Sequence, residues 1–173
     1  MKSKKLAQCA LFTALISVSA WISVPFAYGV VTMQTLAVFL CLLILGGKYG
    51  CISILAYLCL GGLGLPVFSC FTGGLGVLFG PTGGYLWGML IGGLAFWVFM
   101  SITKEKYSVV GVMIAQLICY VCGVCWLLLT SLSVQGAGLG VVLAQTIGVY
   151  LIPDAIKIAL AWLLSKKMKR GVE

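Results

Sequence analysis

The chain reads as an all-α integral membrane protein of six transmembrane helices with both ends cytoplasmic. Composition is the first observation: 62% of the 173 residues are hydrophobic and only 8% are charged, where a soluble domain carries about 25% charged residues. Mean hydropathy is +1.20. Apolar runs form the second: runs of about 18 or more apolar residues read as membrane spans, and the chain has several. The third is where the charges fall. All but two lie near an end of the chain or in a short gap between apolar runs.

Lys2, Lys4 and Lys5 open the chain, and residues 6–24 form the first apolar run, closed by Pro25. A basic start before an apolar stretch also fits a signal peptide. The run is long and no small-residue cleavage site is clear, so a retained span is the better reading. Residues 25–33 are a short uncharged connection. The second run covers 34–47 and ends in Gly46-Gly47-Lys48. That tripeptide is not a phosphate-binding loop, which needs an earlier glycine at fixed spacing and Ser or Thr after the lysine; here Tyr49 follows. The third run is 50–63. A glycine-rich uncharged segment, 64–81, leads to the fourth run at 82–101. Lys104, Glu105 and Lys106 mark the next turn, and the fifth run is 108–130. Residues 131–138 are small and polar.

The last stretch has two readings. Residues 139–165 form either one long helix kinked at Pro153, or a short tilted piece at 139–150 followed by a helix that begins at Pro153. The second is preferred, because proline suits a first helical position and an acid in the first turn suits the helix dipole. Residues 153–165 then span only about 20 Å, which leaves Asp154 at the bottom of a depression. With the N-terminus inside, ten of the eleven basic residues are cytoplasmic, Lys157 being the exception, and the three opposite connections carry no charge. This is a positive-inside pattern. It makes 1–173 a single multi-pass domain, and it accounts for the net charge of +8 without any nucleic-acid surface.

Asp154 and Lys157 are the two displaced charges. Each costs about 2.5–3.5 kcal/mol at membrane depth when unpaired. At i and i+3 they share one helix face, so they neutralise each other or hold something polar between them. The glycine- and aromatic-rich segment 64–85 offers close backbone approach and flat faces at Phe68, Phe71 and Tyr85. With the charge pair opening to the same side, it makes a candidate site of apolar walls and few polar groups. Ala10-x-x-x-Ala14 is a small-residue face that permits close helix docking. Cys119, Cys122 and Cys125 share a face but cannot easily surround one zinc from a single helix, so no metal site and no resident cofactor are expected. There is no histidine and no catalytic constellation, so no enzyme is expected either.

Residues 64–88, GLPVFSCFTGGLGVLFGPTGGYLWG, resemble the signature of the BioY family, the biotin-binding S components of energy-coupling factor (ECF) transporters. Thr32-Met33-Gln34-Thr35, Pro153-Asp154-x-x-Lys157 and Ala10-x-x-x-Ala14 are similar in the same order. The resemblance implies an S-component-like bundle in a bacterial cytoplasmic membrane that captures biotin from outside. It implies docking through the helix 1 alanines onto a transmembrane coupling protein carrying two ATPase subunits, with delivery by toppling in the bilayer. It carries ureido-ring recognition onto Asp154 and Lys157, and substrate contact onto Gln34, Phe68, Thr72, Gly73, Gly74 and Tyr85. Some members use a loop asparagine; this chain has none, which leaves Ser69, Thr72 or a backbone amide near Gly73 for that role. The alternatives are an S component for another vitamin, or a membrane assembly subunit whose Asp/Lys pair is structural.

Overall fold

The computed structural model describes residues 2–26, 29–103, 105–131 and 139–170. In chain order these form α1 (Lys2–Trp21), a hairpin of β1 (Ser23–Phe26) and β2 (Gly29–Thr32), α2 (Gln34–Gly62), α3 (Leu75–Leu78), α4 (Gly83–Ile102), α5 (Ser108–Ser131) and α6 (Leu139–Arg170). Single 3₁₀ turns at Ser69–Phe71 and Glu105–Tyr107 precede α3 and α5. The small polar segment expected at 131–138 lies outside the described residues, apart from Ser131.

α2 is two helices folded against each other. Gly46 has φ 79° and ψ 171°, a conformation open essentially to glycine alone. The chain reverses there: a Cβ added at Gly50 would come within 2.8 Å of Leu42 Cδ2, whereas eight residues along a straight helix are about 12 Å apart. Residues 34–45 and 47–62 are therefore the second and third spans that the sequence predicts. With α1, α4, α5 and α6 they make six long helical segments among the described residues. By length and composition alone, α2, α4 and α5 qualify as membrane-crossing. Lys4 and Lys5 dilute α1.

α2 is the centre of the bundle and packs against α1, α4 and α6. Its apolar window is 67% buried, against 28% for those of α4 and α5, which turn side chains such as Ile91, Val98, Leu117 and Val121 outward. In a membrane those faces meet lipid. α4 and α5 are pressed together by small residues: a Cβ at Gly84 would overlap Trp126, one at Gly88 would lie 2.9 Å from the Cys119 carbonyl oxygen, and one at Gly92 would overlap the Ala115 backbone. Close backbone approach of this kind is how helices associate in lipid, where burial of apolar surface drives little.

Two expectations are corrected. α1 ends at Trp21 rather than at Pro25, and the connection is an antiparallel hairpin pairing Ser23 with Thr32 and Pro25 with Val30. Its β-branched residues Val24, Val30, Val31 and Thr32 favour strand, and Pro25 sits within β1. Pro153 lies inside α6 and does not begin it. The helix is continuous over 32 residues, about 48 Å, so the preferred short sixth helix is wrong. Asp154 is buried because it falls at the middle of a long helix, not because the helix is short.

Candidate binding site

Asp154 and Lys157 are 3% and 5% exposed, with Lys157 Nζ 2.8 Å from Asp154 Oδ1. One helical turn separates them, and both point from α6 toward α2 and α5. Lys157 also donates to the Thr32 carbonyl oxygen at 2.8 Å and to Thr35 Oγ1 at 3.0 Å, so its three donors are all engaged. The Thr32 carbonyl belongs to the last residue of β2, which the hairpin brings over the start of α2. Asp154 Oδ1 accepts a second bond from Thr35 Oγ1 at 3.2 Å. Its Oδ2 accepts from Gln116 Nε2 at 2.7 Å and from the Tyr120 hydroxyl at 2.6 Å, both on α5. A buried ion pair is tolerated when its remaining donors and acceptors are satisfied in this way.

This cluster lines a cavity of about 230 Å³. Phe68, Leu86 and Met89 supply apolar walls, and Gln34, Ser69, Tyr85 and Tyr150 also line it. Gln34 is buried and donates through Nε2 to Met89 Sδ at 3.3 Å. Phe68 is pinned edge-on to Tyr57, with ring centroids 5.4 Å apart, over Gly61, where a Cβ would overlap its ring. The glycine-rich segment that carries Phe68 folds back onto the end of α2, with Gly74 N–H bonded to the Gly61 carbonyl oxygen at 2.7 Å.

The expected site residues thus divide. Asp154, Lys157, Gln34, Phe68 and Tyr85 share one cavity, with Ser69 beside them. Thr72, Gly73 and Gly74 are not among its lining residues. Thr72 is exposed and donates to the Ser69 carbonyl oxygen; Gly73 has no room for a side chain against the Leu65 carbonyl, and Gly74 has φ 97°. These three shape the loop that presents Phe68 and Ser69. Ala10 and Ala14 are exposed on α1 and line a separate shallow groove between α1 and α2, with Thr13, Ser17 and Ala56. Cys119 reaches the cavity wall while Cys125 is exposed, and among the described residues no three His, Cys, Asp or Glu side chains are grouped to hold a metal.

Sequence reasoning missed Gln116 and Tyr120. Their signal was present: they are an i, i+4 pair of hydrogen-bonding side chains in an apolar span, and polar residues at membrane depth face the bundle interior.

The BioY family model matches residues 1–173. The chain is similar to the biotin transporter BioY of Thermotoga maritima, 44% identical over 105 residues that make up 61% of this chain and 62% of that protein. It is 35% identical to the probable biotin transporter BioY of Pyrococcus horikoshii over 98% of both chains. In three dimensions it resembles the crystal structure of the S-component for biotin from an ECF-type ABC transporter, with a TM-score of 0.82 over 98% of this chain and 92% of that one. At 24% identity that last likeness is one of fold. Because the family model spans every residue and a relative matches over nearly the full length of both chains, the chain belongs to the BioY family.

Proposed function

We propose that this chain is the membrane-embedded biotin-binding subunit of an ECF-type importer. It takes biotin from the outer face, and a transmembrane coupling protein with two ATPase subunits drives uptake. The observation that carries the reading is the buried Asp154/Lys157 pair facing a small, mostly apolar cavity. A ureido ring offers N–H donors and one carbonyl acceptor. A carboxylate accepts the former and an ammonium donates to the latter, and charge-assisted bonds of this kind are the strong ones. The thioether ring and aliphatic chain suit Phe68, Leu86 and Met89. A cavity of about 230 Å³ with these walls suits one small ligand.

The chain is a transport subunit and not an enzyme; biotin is cargo and not a cofactor. Lysine placement supports a cytoplasmic N-terminus in a bacterial cytoplasmic membrane; in that orientation the loop after α2, whose Phe68 and Ser69 line the cavity, lies on the outer side. The exposed alanines of α1 support a docking face for the coupling protein.

Isothermal titration of the detergent-purified chain with biotin tests the reading. Tight one-to-one binding is expected. A folded protein that takes up no biotin, or one that prefers riboflavin or thiamin in the same titration, overturns it.

A further inference from the structure

Every acceptor position of Asp154 is taken by a donor of this chain. A carboxylate has about four acceptor positions, and Asp154 already receives four bonds: Lys157 and Thr35 on Oδ1, Gln116 and Tyr120 on Oδ2. A ligand N–H therefore reaches Asp154 only if one of these donors leaves. Lys157 is held by two further acceptors, and moving it would leave two opposite charges unpaired in the interior. Thr35 is tied to Lys157 as well as to Asp154, so turning its hydroxyl away breaks two bonds. Gln116 is buried. Of the two donors on Oδ2, Tyr120 is the less buried, and that makes it the one that gives way.

Resting on the functional reading above, we infer that the Tyr120 hydroxyl is a surrogate for the ligand: it occupies Asp154 Oδ2 in the empty subunit, and a ureido N–H displaces it on binding. The carboxylate is then never left bare at membrane depth, and the affinity measured is that of an exchange rather than of a simple addition. Tyr120 is in this sense an affinity-setting residue. Gln116 keeps Oδ2 oriented throughout.

Tyr120→Phe keeps the ring and removes the competing donor. Titration with biotin is expected to show the variant binding threefold to tenfold more tightly than the unaltered chain. Equal or weaker binding by a folded variant overturns the exchange, because the hydroxyl would then be a fixed support for Asp154. Should the variant not fold, 3-fluorotyrosine placed at position 120 reads the same event by ¹⁹F NMR. Saturation with biotin is expected to move its resonance toward the solvent-exposed value, and an unmoved resonance overturns the exchange. The two readings fail separately. Loss of binding by the unaltered chain sinks the functional assignment, whereas normal binding there with no gain in Tyr120→Phe sinks only the exchange.

Discussion

Lys157 and Asp154 each lose more from the removal of the other than from the removal of both. Breaking a buried ion pair leaves one uncompensated charge and costs about 3–5 kcal/mol, whereas replacing the pair by apolar groups is often near neutral. Asp154→Asn and Lys157→Met should each lower the unfolding midpoint, and the Asp154→Asn/Lys157→Met double variant should recover most of that loss. Biotin binding should behave differently, falling more than tenfold in either single variant and staying lost in the double. Recovered stability together with recovered binding would mean that the pair is only structural. The charged members of this cluster were legible in the sequence because nothing else in an apolar run is charged. Gln116 and Tyr120 stood out as inward-facing polar residues, but their contact with Asp154 did not, since they reach it across 38 and 34 residues and Thr35 across 119. Contacts of that range are fixed by how helices pack, and no local spacing says which polar residues will meet.

Among the elements, the long runs were readable wherever hydropathy alone decided them. α4 and α5 begin and end within a residue or so of expectation, because the turns at their ends are marked by glycine, proline or charge. α6 was misread because proline was given its usual meaning of a helix start. In a bundle, a missing N–H within a span is tolerated because neighbouring helices, side chains and local adjustment satisfy the freed carbonyl. The β1–β2 hairpin was hidden by its shortness: four residues a side give too few alternations for a period of two to stand out. The reversal in α2 rests on a single residue. Gly46 has open space where a Cβ would go, so the only penalty for Gly46→Ala is backbone conformation, about 1–3 kcal/mol for a residue forced into that region. A thermal or denaturant titration should show that loss. An unchanged midpoint would mean that the turn readily adopts another conformation.

At the scale of the molecule, the ligand cavity and the alanine groove are built from different sides of the bundle. The cavity lies among α2, α4, α5 and α6, while the groove lies between α1 and α2. Ala10 and Ala14 support no part of the cavity, and both are exposed, so their small size is not required by the packing of this chain. A neighbouring helix approaching α1 closely does require it. Ala14→Leu should therefore leave biotin titration of the isolated chain unchanged while abolishing ATP-driven biotin uptake by cells that supply the energising module. Co-purification of that module with the variant should fall in parallel. A green fluorescent protein fused after α6 fixes orientation in the same cells, because it fluoresces only when folded in the cytoplasm. Bright cells with normal binding and no uptake would place the defect in docking. Normal uptake by Ala14→Leu would remove the docking face from α1, and dark cells holding full-length fusion would invert the bundle and place the loop after α2 on the wrong side for import.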